Sequence, residues 1–590
     1  MKVLAQAWKL LTPRERRQCL GLQLVGLLMA LTTIAGIAAV MPFFAVLGDP
    51  GLIERNAALH WLQVRFEISG HPQFTLLLGC GFIALLVVSS VVNLAGTVAM
   101  SRFAWRVGDR LRLRLFTQYL GRDYLFHARQ SGAVLTSRVL YQSDRVIGLL
   151  QSGFVFVSNL LMIVLIVASI ALVDAGVAIA GLLLFGVSYA LVYAAARRRL
   201  LANGRAQTQA GSERVAVVEQ ALAGIKDLLV SQGQAPFARR FAAASASISQ
   251  AASNTQLIGL APRYLLECLA GVTLIAAALI LGGRSSTAAW LGELTFIAVA
   301  GYRLLPAIQQ SYFSFVTVRA NQHAFDEVAA DLALDTPALP PAPLMTPAAL
   351  PRESVELIDV SFAYDSDNPP AVNAASLRIA AGSAVAFVGP NGSGKTTTAD
   401  LLVGLLSPQS GRIEIDGQPL SAANRAVWQS CVAYVPQQIF ILDATVRENI
   451  ALGVDAASID EPRLLEAVRR AGAQEFIDKL PRRYDERLGT RGARLSGGQR
   501  QQIGLARALY RAPTFLVLDE ATSSLDEAAA QAVVLMLRRL RGVCTAVVIT
   551  HHEVIAATCD ARCEFRDGRV VSVATNHGRL AANTRLRGAS

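Results

Sequence analysis

The chain has 590 residues, 53% of them hydrophobic and only 17% charged, a balance that excludes an intrinsically disordered protein and a single small module. Its net charge of +12 would suit nucleic acid or a membrane surface, and where the charges sit decides between them. The seven cysteines (Cys19, Cys80, Cys268, Cys431, Cys544, Cys559 and Cys563) form no CxxC pair, which argues against a zinc ribbon and a disulfide-stapled scaffold.

In chain order, apolar runs at about 20–48, 74–100, 147–173, 175–196, 257–282 and 286–309 each come near the roughly 20 residues that cross a bilayer. Six spans are predicted. The first follows Lys9, Arg14, Arg16 and Arg17, but it is too long for a signal-peptide core and lacks a clean cleavage site, so it is expected to stay as an anchor. Beyond it, ALHWLQVRFEI reads either as a short external helix carrying Leu59, Leu62 and Phe66 or as an interfacial loop held by Trp61.

The connection between spans two and three is rich in arginine, from Arg102 through Arg122 and Arg129 to Arg145. The one between spans four and five runs from Arg197 to Arg240 and is equally basic. The opposite connections are poor in Lys and Arg, so both long loops and both termini of this multi-pass membrane protein are expected in the cytoplasm. Both loops have helical propensity and few breakers, so the membrane helices should continue into the cytoplasm as rods. Topology then accounts for most of the arginines, and nucleic acid is not an expected partner.

A proline-rich stretch over 334–352, with Pro337, Pro340, Pro341, Pro343, Pro347 and Pro351, reads as a linker between a membrane domain at 1–333 and a second domain at 353–575. Residues 576–590 read as a flexible tail. The second domain alternates β-rich runs (VELIDVSFAY, SAVAFVG, GRIEID, CVAYVP, TFLVLDE, TAVVIT) with helical segments, an α/β pattern.

Within it, GPNGSGKTT (Gly389–Thr397) follows an apolar strand and opens a helix, the context of a phosphate-binding loop. Backbone N–H groups around Gly389, Asn391, Gly392, Ser393 and Gly394 can wrap the phosphates of ATP. Lys395 reaches the β- and γ-phosphates, Thr396 offers a hydroxyl to Mg2+, and Thr397 completes the cradle. The strand TFLVLDE ends in Asp519, suited to the magnesium shell, and Glu520, placed to orient or deprotonate an attacking water.

Leu495–Gln499 in RLSGGQRQQ closely resemble the signature of ABC transporters of the exporter type. The resemblance implies a helical membrane domain of six transmembrane helices followed by an α/β P-loop nucleotide-binding domain. It also implies an adenine-stacking role for Tyr364, a glutamine-loop role for Gln437 at the metal and the water, a D-loop position for Asp526 and a switch role for His551. Ser496, Gly497, Gly498 and Gln499 would close over ATP held by a second half-transporter, and a homodimer would have two complete sites. Two positions depart from the pattern: Thr490 stands where a glutamate is usual, and Gln502 where an arginine is common.

Ionisable residues inside spans point to the substrate, because burying charge in hydrocarbon is costly. Arg263 and Glu267 lie one turn apart in the fifth span, and Arg303 lies in the sixth. Snorkelling to the interface, or a local i,i+4 pair, are competing readings. The segments AAVMPFF, ALAGIKDLLV, APRYLLE and YRLLPAIQQ resemble bacterial lipid-linked oligosaccharide flippases. That resemblance implies that Arg263 and Arg303 engage the pyrophosphate of a polyprenyl-linked glycan. Export of lipid A-type lipids, drugs or peptides is the alternative, followed by a nucleotide-gated regulator or channel.

Overall fold

A computed structural model describes the chain except residues 1, 40–41, 44–45, 48–52, 54–55, 67–69, 174, 282–288, 335–350, 366, 522–526 and 576–590. Most of the predicted linker and the whole predicted tail therefore lie outside the described residues. Two compact units emerge, one of Met1–Gly121 with Gln130–Pro337, the other of Arg122–Arg129 with Ala338–Ser590.

The first unit is helical. Its long helices are α1 (Pro13–Ala38), α2 (His71–Leu120), α3 (Ser143–Val173), α4 (Ala175–Ala223), α5 (Gln234–Leu281) and α6 (Ala289–Ala320), followed by α7 (Gln322–Ala333). Among the described residues, Pro13–Gly36, His71–Leu120 and Gly132–Leu172 are long and apolar enough to cross a membrane. They carry the first three predicted spans. The other three fall on α4, α5 and α6, around the undescribed residues 174 and 282–288.

The predicted rods are present. α2 runs unbroken for 50 residues, α4 for 49 and α5 for 48. At about 1.5 Å per residue each extends roughly 75 Å, more than twice the roughly 30 Å of a hydrocarbon core. α6 packs along α3, and α5 along α4. The helices approach closely at Gly204, where a Cβ would stand 2.3 Å from the Ala320 carbonyl oxygen. Arg145 seals that junction by donating to Asn321 Oδ1 at 3.0 Å, Thr208 Oγ1 at 2.9 Å and the Ala320 carbonyl at 3.0 Å. A second lock joins Tyr119 of α2 to Asp331 of α7, which also receives Arg138 at 3.0 Å. The segment ALHWLQVRFEI forms a short helix, Ala57–Arg65, with Leu59 buried beside Val46, Ile53 and Phe74, and Trp61 exposed.

The second unit holds two sheets. One is antiparallel: β1 (Ser354–Phe362), β2 (Val372–Ala380), β4 (Ser410–Ile415) and β5 (Gln418–Pro419), in the order β2-β1-β4-β5. The other runs β10-β9-β3-β8-β7-β6, from β3 (Ala384–Val388), β6 (Val432–Val435), β7 (Phe515–Asp519), β8 (Thr545–Ile549), β9 (Ala561–Arg566) and β10 (Arg569–Thr575). Its pairs from β9 to β6 are parallel. Every residue of β3, β7 and β8 is buried, which explains their unbroken apolar sequences. The carboxyl ends of β3, β8, β7 and β6 thus open along one edge, where such sheets gather ligands. Cys431, Cys544, Cys559 and Cys563 are buried, and burial pushes the last three thiols up to about 12.

Candidate active site

Four loops leave that edge. The loop after β3 runs through Gly389–Gly394 into α8 (Lys395–Leu402), and two of its glycines are required by space as well as by backbone conformation. Gly389 has φ +143 and Gly394 φ +96; a Cβ there would meet Phe565 O at 2.3 Å and Ala371 O at 2.4 Å respectively. The Lys395 ammonium is buried at the centre, donating to the carbonyls of Gly389 at 2.9 Å and Pro390 at 2.8 Å. Burial lowers its pKa, while the carboxylates of Glu520 and Asp519 oppose that shift.

Thr396 Oγ1 donates to Asp519 Oδ1 at 3.3 Å, so the structure brings two of the three predicted magnesium ligands together. Tyr434 of β6 donates to the other oxygen, Oδ2, at 2.9 Å. Asp519 is 5% exposed, and burial raises its pKa against the pull of these hydrogen bonds. The sequence reading missed Tyr434; its only signal was a polar-tipped ring on the strand leading into Gln437.

Glu520 begins the loop after β7 with φ +46, a left-handed conformation unusual for a residue with a side chain. Its carboxylate accepts from Gln437 Nε2 at 2.6 Å and faces His551 Nε2 at 3.2 Å. Two predicted residues from two other loops, Gln437 and His551, therefore converge on the carboxylate of a third. Gln437 is bonded to Glu520, not to Asp519, so its predicted metal contact is not among the contacts formed here.

Tyr364 is half-buried, edge-on to Phe362 with centroids 5.1 Å apart, and its hydroxyl meets Thr397 Oγ1 at 3.4 Å. The short helix Tyr124–Arg129 belongs to this same unit. Leu125 packs into its core, and Arg129 Nε donates to the Tyr364 carbonyl at 3.1 Å and pairs with Asp365 at 3.6 Å.

Ser496 caps α9 (Gly497–Tyr510): its Oγ accepts from Gln499 N at 3.2 Å while its own N–H donates to Gln499 Oε1 at 2.9 Å. The remaining first-turn N–H groups, including those of Gly497 and Gly498, stand at the positive end of the helix. Gln502 donates to the Gly472 carbonyl at 3.0 Å, and Thr490 opens a short 3-10 turn, so neither departure from the signature pattern touches the phosphate loop. Asp526 lies outside the described residues. In the membrane unit Arg263 pairs with Glu267 at 2.7 Å; Arg303 sits on α6, and its side chain lies outside the described set.

The arrangement fits a magnesium–nucleotide. The Ser393 hydroxyl is buried within the glycine loop with no hydrogen-bond partner among the described residues, as expected of a donor meant for phosphate. Among the described residues no three His, Cys, Asp or Glu side chains cluster around a metal. A magnesium held by one carboxylate, one hydroxyl and phosphate oxygens needs no such cluster.

Residues 372–523 match the family described as ABC transporter, and residues 22–287 match the ABC transporter transmembrane region. Over 560 residues, spanning 94% of this chain and 90% of the relative, the sequence is 30% identical to an ATP-dependent lipid A-core flippase of Methylococcus capsulatus. The chain belongs to the ABC transporter family. A second relative, an ATP-dependent lipid A-core flippase of Ralstonia nicotianae, is 27% identical over 84% of the transporter and 83% of its own length. The transporter's fold is that of a bacterial Atm1-family ABC exporter solved with ATP bound, with a TM-score of 0.77, 22% identity and 98% of each chain covered.

The site also holds an unforeseen buried acid. Asp400, one turn beyond Thr396 on α8, is pushed up to about 7, by burial first and then by the charge of Asp519. Its folded pKa lies above its ordinary 3.8, so the folded state binds the extra proton. Stability is therefore lost as pH rises from about 4 to about 7, and the loss persists above that. Asp400→Asn should raise the thermal unfolding midpoint of the full-length transporter in detergent. The gain in unfolding free energy at about pH 8 should exceed that at about pH 5 by about 2 kcal/mol. Equal gains at both pH values would show that Asp400 is ionised in the folded state.

Proposed function

We propose that two copies of the transporter form a bacterial inner-membrane flippase that uses ATP hydrolysis to move an anionic lipid-linked oligosaccharide, a polyprenyl-pyrophosphate glycan. In this reading both termini and the nucleotide domain are cytoplasmic. The observation that carries the ATPase half is the convergence of Gln437 and His551 on Glu520, beside the Thr396–Asp519 pair.

Lys395 and the loop amides hold the β- and γ-phosphates, while Glu520 accepts a hydrogen bond from the attacking water and orients it. Thr396 Oγ1 and Asp519 would hold the magnesium, which would supply charge withdrawal from the phosphates. Tyr434 and burial fix the Asp519 carboxylate, and His551 links Glu520 to the γ-phosphate side. The N-terminus of α9, with Ser496, closes the site from the second copy, so that ATP holds the two nucleotide domains together and its hydrolysis releases them.

Arg263 and Arg303 support the headgroup assignment. Each lies near a proline inside its helix, Pro262 in α5 and Pro306 in α6. A proline inside a spanning helix frees a backbone carbonyl that neighbouring groups or a cavity must satisfy, and guanidinium forks fit phosphate oxygens. The relatives named lipid A-core flippase favour a second reading, in which the lipid carries its phosphates on a lipid A-type headgroup.

Liposome translocation decides between them. Fluorescent undecaprenyl-pyrophosphate glycan should cross with ATP in wild type and not in Glu520→Gln, and Arg263→Ala or Arg303→Ala should slow it by about tenfold or more. Movement of labelled lipid A alone would transfer the assignment to the second reading. Movement of neither, with ATP being hydrolysed, would remove both.

A further inference from the structure

The chain passes between its two units at three places: after Gly121, before Gln130 and after Pro337. On the membrane side, the segments that flank these crossings are bonded to one another. Arg114 and Gln118, one turn apart on α2, both reach the end of α7. Arg114 Nη2 donates to the Leu332 carbonyl at 3.2 Å, and Gln118 Nε2 donates to the carbonyls of Asp331 at 2.7 Å and Leu334 at 2.9 Å. Tyr119 donates its hydroxyl to the Asp331 carboxylate, which also accepts from Arg138 Nη1 at 3.0 Å. Arg138 lies between the second crossing and α3, in a π-turn (Arg138–Gln142) that runs directly into that helix, and it faces Glu327 of α7 at 3.8 Å as well. Gln118 and Tyr119 are buried, so water competes little for these bonds. The end of α2, the approach to α3 and the end of α7 thus meet in one polar knot.

We propose that this knot is where movement of the nucleotide unit is loaded onto the membrane unit, so that ATP binding drives α2, α3 and α7 as one piece instead of through three separate attachments. The proposal rests on ATP binding by the second unit and is independent of which lipid is carried. The last carbonyls of a helix have no partner within it, so a pull on the end of α7 would ordinarily fray its last turn. Here α2 supplies donors to Asp331 and Leu332 in that turn and to Leu334 just beyond it, and a pull at Leu334 passes sideways into α2. The Asp331 carboxylate carries it on to Arg138, and so toward α3, through a charge-assisted bond stronger than a neutral one. α2 is unbroken from His71 to Leu120, so a displacement at Gln118 is delivered roughly 70 Å along a stiff rod. Ties that served stability alone would have no reason to gather where the chain leaves the unit; these gather beside all three exits.

The test is hydrogen–deuterium exchange of the full-length Glu520→Gln protein in phosphatidylcholine nanodiscs, with and without Mg2+ and ATP, beside the same protein carrying Tyr119→Phe and Asp331→Asn. In the parent, ATP should slow exchange by about tenfold over α8 in the nucleotide unit, and should also change it over α7 and the cytoplasmic part of α2. In the knot variant the α8 response should stay within about twofold of the parent's, while the response of α2 and α7 shrinks by about threefold or more. Glu15→Gln breaks the 2.7 Å pair with Arg110 elsewhere on α2 and should leave both responses in place, which separates the knot from a helix that is only weakened. Tyr119→Phe alone removes one hydroxyl and no charge; it should give the same pattern at smaller amplitude, and it decides the matter if the double variant does not fold. With Glu520 restored, ATP hydrolysis by the knot variant should remain within about twofold of wild type. A membrane response in the knot variants equal to the parent's, an equal loss in Glu15→Gln, or no membrane response in the parent would each overturn the proposal. No α8 response in the parent would overturn ATP binding itself, and the knot's role with it.

Discussion

Glu520→Gln should lower steady-state ATP hydrolysis by about three orders of magnitude while leaving ATP binding intact. The substitution keeps the length of the side chain and one carbonyl oxygen, so one of the two contacts from Gln437 and His551 persists and the loop after β7 keeps its shape. It removes the negative charge that, in the proposed role, accepts the hydrogen bond of the attacking water and orients it. The left-handed backbone at Glu520 holds the side chain at the sheet edge and is equally available to glutamine. Turnover per copy measured with excess Mg2+ and ATP, beside equilibrium binding of a fluorescent ATP analogue, checks both halves of the expectation. Turnover within about threefold of wild type would take Glu520 out of the chemistry.

Lys395→Met should fail one step earlier. The ammonium is the only side-chain cation held at the centre of the phosphate loop among the described residues, and it is buried, so its charge is poorly screened by water. Charge-assisted bonds to the phosphates would be lost, and nucleotide affinity should fall by about 10- to 100-fold. Methionine keeps the apolar stem, which separates the missing charge from a collapsed loop. The same fluorescent analogue reports the change; affinity within about threefold of wild type would mean that the backbone amides alone carry the phosphates.

Much of the nucleotide half was legible because its chemistry is local in sequence. Gly389–Thr397, Asp519–Glu520 and Ser496–Gln499 each lie on one short segment, and β3, β6, β7 and β8 stood out as apolar runs. What escaped depends on packing between segments. Tyr434 matters only because β6 lies beside β7, with Tyr434 opposite Val517 and its hydroxyl on Asp519. Asp400 reads as a polar residue on a helix, and only the sheet beneath turns it into a buried acid.

Arg129 was one charge among many in a loop whose arginines signalled topology; the fold uses it to hold the backbone of Tyr364. In the membrane half the i,i+4 pairing of Arg263 with Glu267 was readable from spacing, but the bonds of Gln118 and Tyr119 to Asp331 were not, since they join helices far apart in sequence. The helical rods were readable because long uninterrupted helices leave a plain composition, with helix formers and few breakers.

The buried cysteines of the nucleotide half have a practical consequence. Thiolate is the species that attacks maleimides, and Cys544, Cys559 and Cys563 are both shielded and held protonated at neutral pH. Cys431 is shielded as well, whereas the exposed Cys80 and Cys268 lie on α2 and α5. Replacing those two alone would leave a folded protein nearly silent to thiol reagents. A single cysteine introduced near Ser496 could then carry a spin label or a fluorophore, and in the proposed pair of copies the separation between the two labels would report opening and closing through a turnover cycle.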